Sequence, residues 1–196
     1  MSPTTSTSPR LDQDAWARAA LVALGRGGTA AVAVEALARE LGVTKGSFYW
    51  HFGSRDELID AALALWEREH TVDVIAEVDA GSGERDPAAR LRRLFEAIVG
   101  HAAVDQVELP LLALSDDERV APALQRVTER RVDYVAGVYG ELGFGAEQAR
   151  DRAVLAYAAY LGHLQLIRTG LLPAHDEQRL QRHLDAVVDT LLAPAG

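Results

Sequence analysis

The segment VEALARELGVTKGSFYWHFGSRDEL, Val34 to Leu58, reads as two short helices broken by a glycine. In the first, Val34 to Leu41, the residues Leu37, Ala38 and Leu41 share one side, and Gly42 follows. Glycine tolerates the left-handed conformation that ends a helix. Thr44 is placed to cap a second helix over about Lys45 to Trp50, and Gly53 marks its end. Ala38 is small where two helices must approach closely, and Leu37, Leu41, Val43 and Phe48 form the expected shared core. This is the pattern of a helix-turn-helix. Its second helix, roughly 10 Å long at 1.5 Å per residue, is too short to be stable alone. A scaffold must present it to something, and the major groove of B-DNA, about 12 Å wide, admits such a helix.

The side chains suit that use. Thr44, Lys45, Gly46 and Ser47 fall at the N-terminus of the second helix, where recognition helices touch base edges. Gly46 permits close backbone approach, and Lys45 can donate to a guanine edge or a phosphate. Tyr49, Trp50 and His51 combine flat apolar bodies with hydrogen-bond donors suited to phosphates and sugars. Phe48 and Phe52 are assigned to the core and Tyr49 and Trp50 to the DNA side, since the aromatic cluster cannot all face inward. Ser54 and Glu57 make a capping box that opens the next helix, and Arg55 in its first turn is the expected phosphate clamp.

Spacing and identity here resemble the DNA-binding domain of the TetR family of bacterial regulators. The resemblance rests on Leu37-Ala38, Gly42-Val43-Thr44, the run Phe48 to Phe52, Arg55 and Leu58, and covers about residues 11–60. It implies DNA contacts at Thr44, Lys45, Ser47, Tyr49, Trp50, His51 and Arg55. The chain departs from the family at Ala33, where a capping threonine is common, at Gly53, and in having Arg55 in place of lysine.

Outward from this segment, nearly everything reads as helix: Ala, Leu, Arg and Glu abound, and strictly alternating β-branched runs are missing. The expected fold is all-α with about nine helices, a three-helix helix-turn-helix domain followed by a helical ligand-binding and dimerisation domain. The expected division is a flexible tail at 1–10, the helix-turn-helix at 11–57 and the helical domain at 58–196. An Ala-rich helix from Leu11 to Leu24 stops at Gly25, Gly27 and Gly28. The helix opened by Ser54 runs through Trp66 to about Val78, and Gly81-Ser82-Gly83 forms a loop. Asp86-Pro87 starts another helix, with Leu91, Leu94, Phe95 and Ile98 on one face. Pro110 interrupts a short apolar piece. A second capping box, Ser115 to Glu118, opens a helix to about Leu142, and the last two helices span about Ala146 to Thr169 and Asp176 to Leu192.

Charge is unevenly spread. The net charge of -9 falls almost entirely after residue 60, and Lys45 is the single lysine. A near-neutral module still binds phosphates when its few cations share a face. There is no cysteine, no apolar run long enough for a membrane span and no HExxH frame, so no metal, cofactor or membrane is expected, and a cytoplasmic location is. No paired carboxylates, phosphate loop or nucleophile motif suggests an enzyme.

Trp66, His70, His101, Tyr134, Tyr157, Tyr160 and His163 are candidates for lining a ligand cavity among the later helices, because such cavities are mostly apolar with a few polar anchors. Ala149, Ala153, Ala156, Ala159 and Gly162 on the penultimate helix, with the Leu180–Leu191 stripe on the last, suit a four-helix bundle formed with a second chain. Taken with the resemblance, these features imply a homodimeric repressor on a near-palindromic double-stranded operator, released by an unknown small-molecule effector. An activator of the same fold is the alternative, and an all-helical enzyme a remoter one.

Overall fold

A computed structural model describes residues 12–81, 86–102, 107–172 and 176–193. The expected tail at 1–10 and the Ser82-Gly83 part of the expected loop lie outside them. No helix among the described residues is long and apolar enough to cross a membrane, and among them no group of three or more His, Cys, Asp or Glu side chains gathers to hold a metal. The chain divides into two units, Met1–Leu65 and Trp66–Gly196. The division falls inside the helix that Ser54 opens, whereas the sequence reading puts it at residue 57.

In the first unit, α1 covers Gln13–Gly27 and begins where the Asp12 carboxylate accepts the Ala15 N–H at 2.9 Å. Gly25 and Gly27 do not stop it, contrary to expectation. A helical glycine costs about 1 kcal/mol, and the buried face of Trp16, Ala17, Ala20, Leu21 and Leu24 outweighs that. The helix ends at Gly28, whose φ of 66° closes its N–H onto the Leu24 carbonyl at 2.8 Å. A 3-10 turn at Thr29–Ala31 leads to α2, Val34–Glu40. Ala33 stands at its N-cap and makes no side-chain cap bond. Gly42, with φ of 70°, then turns the chain. Its N–H reaches the Arg39 carbonyl at 3.2 Å and the Val43 N–H reaches Ala38 at 2.9 Å, a Schellman closure.

α3 spans only Lys45–Phe48, and α4 spans Arg55–Glu67. A π-helical turn, Arg68–Val72, joins α4 to α5, Asp73–Ala80, with helical backbone at both junctions. The expected long helix from Ser54 to Val78 is therefore present with one wide turn in it. Counting that rod once, the described residues hold nine helices.

The second unit continues with α6, Pro87–Ala102, and α7, Glu108–Leu112. Pro110 does not interrupt α7; it lies in the first turn, where a missing N–H leaves no bond unmade. α8 spans Ala121–Glu141, α9 Ala146–Arg168 and α10 Glu177–Leu192. Ser115 does not open α8. The Asp117 carboxylate captures the N–H groups of Arg119 and Val120 at 3.0 and 3.3 Å, holding a turn, and the helix starts after it. Ala149, Ala153 and Ala156 are buried on α9, in one core cluster with Val132, Val135 and Val138 of α8. Leu184, Val188 and Leu191 of α10 are buried too. Most of the small-residue and leucine stripes assigned to a second chain is thus core of this one. The large apolar side chains left outward on α9 are Val154 and Leu155, 51% and 58% exposed.

Candidate nucleic-acid interface and the cavity of the second unit

Phe48 fixes the short α3. It is 1% exposed, meets the Trp16 ring edge-on at 5.5 Å and stacks on Phe52 at 5.6 Å. Leu37 and Ala38 are buried beside this core, while Leu41 and Val43 are only half-buried, because the turn at Gly42 lifts them toward the surface. With Phe48 pointing in, the next two residues point out: Tyr49 is 60% exposed and Trp50 is 88% exposed. Singly exposed apolar residues are ordinary, whereas here two aromatic side chains adjoin at the surface.

The expected helix of Lys45 to Trp50 is shorter than the pattern suggested, and the chain continues past Tyr49 in tight turns. The Trp50 N–H reaches Ser47 at 3.3 Å and the His51 N–H reaches Phe48 at 2.9 Å. Thr44 occupies the N-cap position but makes no cap bond. The Ser47 hydroxyl donates instead to the Thr44 carbonyl at 2.8 Å, which leaves the Thr44 side chain at the exposed surface. Gly46 is also exposed. A Cβ there would meet only the Thr44 hydroxyl at 3.6 Å, so nothing inside the chain demands a glycine. His51 is half-buried, its ring tilted against Phe52 at 6.4 Å.

The Lys45 ammonium lies 2.5 Å from the Glu35 carboxylate, with both side chains at least half exposed. The hydrogen bond raises the lysine pKa and lowers that of the glutamate. Exposed pairs of this kind are worth little and exchange readily for another anion. Arg55 has a role the sequence did not reveal. Its Nε donates to the Val32 carbonyl at 2.7 Å and its Nη2 to the Thr29 carbonyl, so it ties the α1–α2 connection to the start of α4. Two guanidinium donors are thereby spent inside the chain. The capping box is formed: the Ser54 hydroxyl accepts the Glu57 N–H at 3.1 Å, and the Glu57 carboxylate accepts the Gly53 N–H at 2.7 Å.

The second unit contains a cavity of about 60 Å³. Val74, Ile75, Leu94, Phe95, Ile98 and Ala156 supply its apolar wall, and four of the expected residues, His70, Tyr134, Tyr157 and Tyr160, line it together. Trp66 does not line it. Its indole N–H donates to Glu108 at 3.1 Å, beneath the Arg131 guanidinium, which sits 5.5 Å over the ring. His163 is not among the lining residues either; it is buried and stacked on His183 at 5.3 Å. Burial, with His183 beside it, pushes its pKa down to about 4. The His101 side chain lies outside the described residues.

Arg131 is the cavity residue that sequence reasoning missed. Its Nη1 and Nη2 donate to Glu108 at 2.5 and 3.3 Å, its Nε to the Thr71 hydroxyl at 2.8 Å and its Nη2 to the His70 carbonyl at 3.1 Å. The π-turn carries both Thr71 and His70 to the guanidinium, a setting in which π-turns often serve function. Burial opposes the charge on Arg131, but Glu108 more than offsets this and raises its pKa. Glu108 itself is 1% exposed. A signal was present: Arg131 sits four residues after Val127 and four before Val135, on the apolar stripe of α8.

Against known proteins, residues 18–62 match the model of bacterial regulatory proteins of the tetR family. The HTH-type transcriptional regulator TtgR of Pseudomonas putida is 31% identical over 78 residues, 40% of this chain and 36% of that protein. The match thus spans little more than a third of the curated relative. A TetR transcriptional regulator of Legionella pneumophila superposes with a TM-score of 0.74 at 16% identity, covering 98% of this chain and 99% of that one. The SmeT–triclosan complex superposes with a TM-score of 0.65 at 20% identity, covering 94% and 95%. The matched segment encloses α2, α3 and the exposed aromatic pair, and the fold agrees across nearly all of the chain. Residues 18–62 are thus similar to the DNA-binding segment of bacterial regulatory proteins of the tetR family, and the chain shares the fold of these solved neighbours.

Proposed function

We propose that this chain is a sequence-specific DNA-binding transcriptional regulator. The observation that carries the reading is the outward pair Tyr49 and Trp50, held beside Thr44, Lys45 and Gly46 by a buried Phe48. Thr44, Lys45, Gly46 and Ser47 approach base edges, while Tyr49, Trp50 and His51 hold the flanking backbone. Arg55 acts chiefly by fixing the start of α4, with its outer edge toward a phosphate.

The finer reading is a cytoplasmic homodimeric repressor on a near-palindromic operator, with two heads on half-sites about 34 Å apart or a multiple of it. The outward Val154 and Leu155 on α9 support pairing through the last two helices. The cavity lined by His70, Tyr134, Tyr157 and Tyr160 supports release by a small molecule, as does the fold shared with a protein solved with triclosan. Such a ligand must favour the conformation that does not bind DNA, and a coupling of about 1–3 kcal/mol is typical.

The test is retardation of fragments from the DNA flanking the gene, followed by a salt titration. Affinity should fall linearly on a log–log plot, with a slope of about −0.9 for each phosphate neutralised. No retarded fragment, or a flat salt response, refutes the reading.

A further inference from the structure

The cavity holds a cation that is already spoken for. Arg131 lines it, yet its guanidinium is clasped on both arms by the buried Glu108 and bonded to Thr71 and the His70 carbonyl. These bonds engage four of its five N–H donors, and one hydrogen on Nη1 is left. The pair is neutral as a unit. An anionic ligand would have to displace Glu108, which is 1% exposed, or bring a further uncompensated negative charge beside it, and either is costly at a buried ion pair.

Two of the wall's tyrosine hydroxyls are engaged within the chain. Tyr134 donates to Asp79 at 2.7 Å, so a second carboxylate stands behind that wall, and the Tyr157 hydroxyl pairs with Thr128 at 3.3 Å. What the cavity does offer is ring and aliphatic surface: Phe95, Tyr157 and Tyr160 with Val74, Leu94 and Ile98.

The geometry points to an effector that is a neutral, apolar, ring-bearing molecule, and to Glu108 as the residue that excludes carboxylates. This rests on the cavity being the effector site of the proposed regulator. Glu108 does not touch the ligand in this scheme; it sets selectivity by neutralising Arg131.

The experiment uses two small planar probes of nearly equal shape, acetophenone and benzoate, titrated calorimetrically into the full chain at pH 7. The ketone should bind at least about tenfold more tightly than the carboxylate, since the latter must bury an unpaired charge. In Glu108→Gln, which keeps the side-chain shape and loses the charge, the ratio should move toward the carboxylate by about tenfold or more. Ala156→Leu and Ile75→Phe, which narrow the cavity from two walls, should weaken the ketone. Equal or tighter binding of the carboxylate to the unaltered chain overturns the inference, whether or not the variants fold. So does failure of both probes to bind, a ratio unmoved in folded Glu108→Gln, or ketone affinity indifferent to both narrowing variants. DNA retardation by the ligand-free chain is measured on the same preparation. Its failure tells against the regulatory reading, whereas a reversed ligand preference with retardation intact tells against this inference alone.

Discussion

Phe48 and Trp50 are two residues apart and should fail in opposite ways when truncated. Phe48 is 1% exposed and packs on Trp16 and Phe52, so Phe48→Ala loses a whole buried ring and leaves a cavity. Such truncations cost about 3–5 kcal/mol. The first unit ends at Leu65, and a unit of that size rarely has more than about 3–5 kcal/mol in its core. Phe48→Ala should therefore exhaust the stability of the first unit, and with it DNA binding. Trp50 is 88% exposed, and truncating an exposed side chain typically changes stability by no more than about 0.5 kcal/mol. Its loss should appear only in affinity, at about 2 kcal/mol, roughly thirtyfold in Kd. Amide hydrogen exchange over Gln13–Leu65 reads folding of the unit, and retardation of the cognate fragment reads binding. Protection should collapse in Phe48→Ala and persist in Trp50→Ala while retardation weakens in both. If Trp50→Ala bound DNA as tightly as the parent, or lost exchange protection, the assignment of the exposed aromatics to the DNA surface would be wrong.

Two further effects follow from the second unit. Glu108→Ala strands the Arg131 charge in a buried site and should cost about 3–5 kcal/mol in urea unfolding. The double variant Glu108→Leu/Arg131→Met should recover most of that, and a loss below about 1 kcal/mol in the single variant would show the pair to be solvated. His163, held at about 4 against an ordinary 6.5, stays neutral in the fold while the unfolded chain takes up the proton first. Its contribution is full above pH 6.5 and is lost as the pH falls toward 4. At about 1.4 kcal/mol per pKa unit the loss approaches roughly 3 kcal/mol. Stability curves between pH 7 and 4 should be flatter in His163→Leu, and an unchanged slope would refute this.

The first unit was largely legible because its signals are local. A glycine that must take a positive φ, an apolar residue every third or fourth position and a Ser-to-Glu capping box act within one turn of chain, so Gly42, Phe48 and Ser54 all do what their neighbours in sequence require. Local rules failed where packing across the fold outweighed them. Gly25 stays helical because Leu21 and Leu24 are buried on the same helix, and Ser115 yields to the turn held by Asp117. Arg55 could be seen as a cation, but its carbonyl partners at Thr29 and Val32 lie more than twenty residues away in sequence. The same holds for Arg131 and Glu108, 23 residues apart, and for the π-turn that carries His70 and Thr71 to them. The amino-acid sequence by itself settled which segments are helices and which face of α3 looks outward, since periodicity and caps are short-range properties. Only the tertiary structure decided how the cavity is lined and which of its charges is cancelled, because both depend on side chains that meet solely when distant helices pack.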